Sequence, residues 1–169
     1  MPSKNATGAD NQQERLGWWI VGFVDGEGTF SVSINRNKTT SMGYQVFPEF
    51  VVTQGQKSLK TLKTIQDKFK CGKIYVNRRR DNHRENLYRY TVRPLKDLDE
   101  KIIPFFKQNE LKTAKKNDFQ YFCKIIKMMK KGKHLSRKGF SQVLDLTSKM
   151  NRRQSRILND YTPDADQNR

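Results

Sequence analysis

The sequence predicts an α+β domain in which an antiparallel sheet is covered on one face by helices. Apolar residues recur at helical spacing before Gly28 and at every second position after it. The same exchange of period returns further along, so the chain reads helix, hairpin, helix, hairpin, helices. At 34% hydrophobic over 169 residues it can bury one lean core, which suits a single domain.

Taken in order, residues 1–14 are polar, lack the apolar centre of a signal or transit peptide, and read as a disordered leader. From Glu14 to Val24 the pattern is helical, with Leu16, Trp19, Ile20, Phe23 and Val24 on overlapping faces. In "TFSVSIN", Phe30, Val32 and Ile34 alternate with Thr29, Ser31, Ser33 and Asn35, a half-buried strand with a small, polar outer face. "NRNKTTSMG" is a turn. "YQVFPEFVVT" is a second strand, with Gln45 outward, Val46, Phe50 and Val52 inward, and Pro48 confining it to an edge or a bulge. "QKSLKTLKTIQDKF" is an amphipathic helix stopped by the Cys71–Gly72 pair. Two strands follow, "KIYVN" and "LYRYTVR". Their inward residues are Ile74, Val76, Tyr88, Tyr90 and Val92, and their outward residues are Lys73, Tyr75, Asn77, Arg89, Thr91 and Arg93. The connection between them, "RRRDNHREN", is strongly basic and opens on Arg78, Arg79 and Arg80. After Pro94 the chain is helical in "LKDLDEKIIPFF", "NDFQYFCKIIKMMKK" and "SRKGFSQVLDLTSKMN". One domain is therefore expected over residues 15–153, followed by a frayed helix and polar tail over 154–169.

The balance of 34 basic against 17 acidic residues gives a formal charge of +17. Such a field attracts polyanions. No apolar run approaches the roughly 18 residues of a membrane span, so nucleic acid is a better partner than a bilayer. Cys71, Cys123, His83 and His134 are isolated, which argues against a zinc site. Two reduced thiols suit an intracellular protein, in an organelle or a prokaryotic cytoplasm. The uncovered sheet face collects Ser, Thr, Asn, Lys and Arg. A solvated surface is the plain reading of such a face, and the cation excess favours a DNA-reading sheet instead.

One stretch asks for more than structure. In "WWIVGFVDGEGTF" a helical run ends in Asp25 and Glu27, threaded between Gly22, Gly26 and Gly28. Gly22 and Gly26 are four apart and share a helix face, which lets another backbone approach closely. No second copy of the stretch occurs in the chain, so the partner helix would come from a second subunit through a two-fold axis. Carboxylates at a helix C-terminus are unfavourable by a few tenths to about 1 kcal/mol each. A divalent cation reverses that sign. The Glu27 carboxylate and the Gly26 carbonyl are hard oxygen donors of the kind magnesium prefers. Two such ends across the axis could clamp the oxygens of a phosphodiester undergoing hydrolysis. A glycine C-cap with a local Asp turn is the simpler reading. It accounts for Gly26 or Gly28 and leaves Gly22 and the second acid unexplained.

"IVGFVDGEG", Ile20 to Gly28, resembles the LAGLIDADG motif, present once. The ordered series "GYQVFPEFVVTQ", "CGKIYV", "LKDLDEKIIPFF", "LKTAKKNDFQYFCKII" and "KHLSRKGF" extends the resemblance to LAGLIDADG homing endonucleases from about Arg15 to Asn151. The resemblance implies an αββαββα fold with a saddle-shaped sheet on DNA. It implies a homodimer whose interface takes in Trp18, Gly22, Asp25 and Gly26, with Asp25 supporting the helix end. It assigns the metal-binding acid to Glu27, the adjoining carbonyl to Gly26, a polar residue near the attacking water to Gln54, and a lysine near the scissile phosphate to Lys115, or to Lys116 one residue on. Thr29, Ser31, Ser33, Asn35, Gln45, Lys73, Tyr75, Asn77, Arg78, Arg79, Arg80, Arg89, Thr91 and Arg93 would contact DNA. The implied reaction is double-strand cleavage of a long, roughly palindromic site, leaving short 3′ overhangs. Magnesium would serve it, manganese would substitute, and calcium would bind with little cleavage. Val21 replaces the motif's alanine, implying a slightly wider helix pair, and Ser58 stands where some relatives carry a basic residue. Two alternatives share the fold: a maturase that binds its intron RNA, and a DNA-binding regulator without cleavage.

Overall fold

The structure is a computed structural model that describes residues 8–78 and 85–150, with side chains from residue 11 onward. Helix α1 (Gly8–Glu27) leads into β1 (Gly28–Arg36) and β2 (Tyr44–Gly55). Helix α2 (Leu59–Phe69), strands β3 (Lys73–Asn77) and β4 (Leu87–Val92), and the short helices α3 (Leu95–Asp97) and α4 (Ile103–Gln108) follow. Helices α5 (Lys115–Lys130) and α6 (Arg137–Met150) complete the order. The four strands form one sheet in the order β1-β2-β4-β3, so the α+β class holds. The contacts divide the chain into two compact units, residues 1–29 with 50–116 and residues 30–49 with 117–169.

In the first unit, β4 pairs antiparallel with both neighbours, Phe50 opposite Val92 and Val52 opposite Tyr90 on one side, Ile74 opposite Tyr90 on the other. The inner face carries Phe50, Val52, Tyr90 and Val92, all fully buried. Phe50 meets Phe69 of α2, Tyr90, and Phe106 of α4 with edge-on rings at centroid distances of 6.0, 6.2 and 5.6 Å. Such edge-to-face pairs add to what area burial contributes. Helix α2 buries Leu62, Ile65 and Phe69, three and four apart. It stops at Lys70, which takes the left-handed conformation, one residue ahead of the expected Cys71–Gly72 pair. Gly72 follows at φ +75°, and a Cβ there would lie 2.7 Å from the Tyr90 ring, so conformation and space both require glycine. Between α3 and α4 the residues Leu98–Ile102 widen into a π-helical turn. Pro104 follows one residue after Ile103. It has no N–H to donate one turn back, and its ring excludes a regular turn there.

In the second unit, β1 buries Phe30, Val32 and Ile34 and turns Ser31, Ser33 and Asn35 outward, as the alternation predicts; Thr29, the last residue of the first unit's opening segment, is exposed as well. Phe30 lies against Phe119 and Phe122 of α5, at centroid distances of 5.0 and 5.5 Å. The β1–β2 turn is closed by Asn37, whose Oδ1 accepts from the N–H and hydroxyl of Thr39. Tyr44 stacks on Phe140 of α6 at 5.4 Å.

Four expectations change. Helix α1 begins at Gly8, so residues 8–14 are helical rather than a disordered leader. Strand β2 lies inside the sheet. Its pairing with β4 starts only at Phe50, so Pro48 falls where β1 is the only neighbour and no donor is wanted on the other side. Val76 was expected inward and is 45% exposed, on a strand that ends the sheet and has a neighbour on one side only. Thr91 was expected to project outward, yet it is 4% exposed and its hydroxyl has no hydrogen-bond partner among the described residues. It stands between Val51 and Lys73 on the central strand, where larger neighbours cover a short side chain.

Candidate nucleic-acid interface and metal site

The site is built on the end of α1. Gly17, Ile20, Val21 and Val24 are buried at helical spacing along the side of α1 that packs into the first unit, and Gly28, the first residue of β1, is buried after them. Val21 belongs to this buried side, so its extra carbons do not widen the opposite face. That face carries Trp18, 51% exposed, and Trp19, 42% exposed, beside Gly22 and Gly26. A Cβ added at Gly22 or at Gly26 would meet nothing within 4 Å. Nothing among the described residues therefore asks for glycine at either position. Gly28 differs: a Cβ there would lie 2.5 Å from the Val24 side chain, because the strand leaves the helix so tightly.

Asp25 and Glu27 have separate surroundings. The Asp25 carboxylate accepts from the backbone N–H of Lys112 at 2.7 Å, the N–H of Thr113 at 3.3 Å and the Thr113 hydroxyl at 2.8 Å. Partial burial pushes its pKa up, but these hydrogen bonds and the nearby Lys115 charge outweigh it, leaving the carboxyl below its ordinary value of 3.8. Asp25 thus ties the end of α1 to the segment that leads into α5. Glu27, the last residue of α1, is exposed.

Lys115 joins this end directly. Its Nζ donates to the carbonyls of Val24 at 2.7 Å and Asp25 at 2.9 Å, a cation on the negative end of the helix dipole. Lys116 instead pairs with Glu110. Of the two lysines the sequence left open, Lys115 is the one at the end of α1. Gln54 lies at the end of β2, opposite Tyr88, on the same strand face as Phe50 and Val52.

Of the proposed DNA contacts, Lys73, Tyr75 and Asn77 of β3 are exposed, as are Arg78 and Arg93, and Arg89 is half-buried opposite Thr53 and Tyr75. In the second unit, Ser31 and Ser33 are half-buried and Asn35 and Gln45 exposed. The Gln45 side chain accepts from Asn37 at 2.8 Å, a partner the sequence did not suggest. Arg79 and Arg80 lie outside the described residues. Sequence reasoning also missed Thr113 and Lys112. A Thr shortly before a helix whose first lysine was already singled out was the only available signal.

Known proteins now bear on this geometry. Residues 20–126 match the family described as LAGLIDADG endonuclease. The chain belongs to the LAGLIDADG endonuclease family. "Probable intron-encoded DNA endonuclease 1" of Mycosarcoma maydis is 31% identical over 129 residues, covering 76% of this chain and 44% of that protein. Three fungal relatives are matched over only 26%, 44% and 27% of their own length. Among solved structures, the homing endonuclease I-TnaI superimposes with a TM-score of 0.75 at 36% identity, covering 85% of this chain and 96% of that one. I-SmaMI, bound to an uncleaved DNA target in the presence of calcium ions, superimposes with a TM-score of 0.79 at 29% identity, covering 88% of this chain and 49% of that one. LAGLIDADG endonucleases are metal-dependent, and the donor set at the end of α1 fits a hard cation. Glu27 is exposed and Gly26 leaves its surroundings open. No cluster of three or more His, Cys, Asp or Glu gathers among the described residues, so one chain offers only part of a coordination shell.

A pH effect follows from Asp25. Its folded pKa is depressed, so its stabilising contribution is full above the unfolded value and is lost as pH falls through the folded one. Asp25→Asn is expected to be less stable than the unmodified protein at neutral pH, with the gap closing below about pH 3.8. Urea unfolding at a series of pH values checks this. A gap that stays constant into acid would remove the carboxylate from the account.

Proposed function

We propose that the chain is a site-specific double-strand DNA endonuclease that acts as a homodimer on a long, roughly palindromic site with a divalent metal, magnesium in the cell. The observation that carries the proposal is the exposed Glu27 at the end of a helix whose outer face holds two open glycines and two partly exposed tryptophans. A face of this kind on a soluble chain marks a protein contact. A second copy related by a two-fold axis would bring a second Glu27 to the first.

Glu27 and the Gly26 carbonyl would hold the metal, which when bound polarises the phosphate and lowers the pKa of a coordinated water. Lys115, held at the carbonyl end of α1, would turn toward a phosphate oxygen and balance its growing charge. Gln54, with both a donor and an acceptor, would orient the attacking water. Asp25 acts as a support, fixed by Thr113 and Lys112. The outward residues of the sheet would read the site, long cations taking guanine edges or phosphates and short polar side chains touching bases directly or through water.

Selection of cleavable sites from a randomised duplex library in magnesium tests the proposal. Recovery of one symmetric site supports it, and no cleavage of any duplex rejects it. Calcium is expected to support binding of the selected site with little cleavage, since it accepts the same oxygens with looser geometry. Equal cutting rates in the two metals would count against the assigned donors. Arg89→Ala is expected to relax preference at particular base pairs, by about 1–3 kcal/mol where the contact is bidentate. Arg78→Ala should weaken binding to all sequences and flatten its salt dependence. A cleavage profile over single-base variants separates the two effects. An unchanged profile in Arg89→Ala would mean that the sheet does not read the site.

A further inference from the structure

The β1–β2 hairpin carries two side chains whose surroundings decide what they can recognise. Gln45 and Phe47 lie on the outer face of β2, since Val46 and Pro48, which alternate with them, are buried. Phe47 is 39% exposed, an aromatic ring on the same wet side of the hairpin as Ser31, Ser33 and Asn35. A lone exposed ring is ordinary on a protein surface. What distinguishes this one is the neighbour two residues away, whose orientation is fixed from the backbone.

The backbone N–H of Thr39 can only donate, and it lies 3.0 Å from the Asn37 side chain, so the atom it meets is the oxygen Oδ1. The Thr39 hydroxyl donates to the same oxygen at 2.7 Å. The other end of the Asn37 amide is therefore the donor Nδ2, and it reaches Gln45 at 2.8 Å. That bond demands an acceptor. Gln45 Oε1 is thus turned toward Asn37, and its Nε2 is left to donate elsewhere. The turn that holds Asn37 is closed by its own backbone bonds, from the Asn37 N–H to the Gly43 carbonyl at 2.8 Å and from the Thr40 N–H to the Asn37 carbonyl at 3.2 Å. The bonds run from a backbone group of fixed polarity to an exposed amide that would otherwise present either end.

We infer that Gln45 and Phe47 form one base-reading element on duplex DNA, with Asn37 as the positioning residue that sets its polarity. The inference rests on the proposal that the outer side of the sheet binds DNA. In the major groove both purines present the N7 acceptor, whereas cytosine presents the N4 donor and opposes a second donor. Gln45 Nε2 therefore selects a purine and rejects cytosine. Phe47 covers the C5-methyl of thymine, the apolar group that base edges offer in that groove. Residues two apart on a strand are about 6.8 Å apart, and bases along one DNA strand rise by about 3.4 Å, so the two contacts fall about two base pairs apart.

The test selects duplexes that the full chain binds from a randomised library, then measures competition by modified versions of the selected site. Each half-site should hold a purine, with cytosine worst at that position, and a thymine about two base pairs away. Replacing the purine by its 7-deaza form, which lacks N7, should weaken binding about fivefold or more. Replacing the thymine by uracil removes only the methyl and should weaken binding about threefold, while Phe47→Ala should bind the two sites equally. Asn37→Asp keeps an acceptor for Thr39 but offers no donor to Gln45. The Gln45 amide then turns its Nε2 to the new carboxylate and presents Oε1 outward, so cytosine should replace the purine at that position alone. An Asn37 that merely braced the turn would weaken binding at every position and invert none. An uninverted preference in Asn37→Asp, or a Phe47→Ala variant that still separates thymine from uracil, would overturn the inference. A recovered site indifferent to all these substitutions would overturn this inference alone, whereas recovery of no site would reject the sheet as the DNA-binding face and the inference with it.

Discussion

Glu27→Gln is expected to abolish cleavage and to leave DNA affinity within a few fold of the unmodified protein. The substitution keeps the shape and length of the side chain while removing the charge that makes it a metal ligand. Glu27 is exposed at the last residue of α1, so no buried network loses a partner and the fold has little to lose. The carbonyls of Val24 and Asp25 at this end already accept from Lys115, and a carbonyl carries no charge to replace the lost one. Asp25 is the nearest acid in sequence, and it is already committed to Lys112 and Thr113. Metal-supplied charge stabilisation is worth several kcal/mol, and each ~1.4 kcal/mol is tenfold in rate. A loss of about a thousandfold or more in the cleavage rate follows. In the proposed mode of action binding rests on the outward residues of the sheet, which the substitution does not touch. Single-turnover cleavage and a parallel gel-shift titration check the two halves. Undiminished cleavage by Glu27→Gln would reject Glu27 as the ligand, and a matching loss of binding would make it a DNA contact.

Much of this site was legible in the chain because it is local. The change from helical to strand period at Gly28 marks where α1 ends, and the acids at that change are two residues apart. The strict alternation of β1 made its faces plain, since one side of that strand is buried and the other wet. What escaped depends on residues far apart in sequence. The Lys115 bond to the end of α1 spans about ninety positions, and no period announces it. Thr91 obeys the alternation yet is buried, because its exposure is set by the strands on either side. Val76 obeys it too and is exposed, because β3 has a neighbour on one side only. The polar first turns of α1 carry no apolar stripe to reveal them as helix. Periodicity tells which way a side chain points, and only the neighbours decide whether it is covered.

Gly22→Leu is expected to separate the subunits and abolish cleavage while leaving each chain folded. The expectation rests on a contrast within α1. Gly28 has no room for a side chain, since a Cβ would lie 2.5 Å from Val24, and substitution there should damage the monomer. Gly22 has open space around it, so leucine is accommodated within the chain. Leucine is also the better helix former, by about 0.5–1 kcal/mol, so the variant's own helix gains stability. The cost falls only where a second helix must approach. A leucine on each copy would hold two backbones apart at the point where the open glycines allow closest contact, and the two Glu27 residues would be carried apart with them. Sedimentation should show a dimer for the unmodified protein and a monomer for Gly22→Leu. Circular dichroism should show the same helix content in both, with a melting temperature for the variant's chain no lower than that expected of an isolated subunit. Cleavage of both strands should be lost, because the opposed metal ends no longer face one phosphodiester pair. A dimer that persists in Gly22→Leu with full cleavage would move the interface off the Trp18–Gly26 face. An unmodified protein that cleaves as a monomer would remove the two-fold axis from the mechanism altogether.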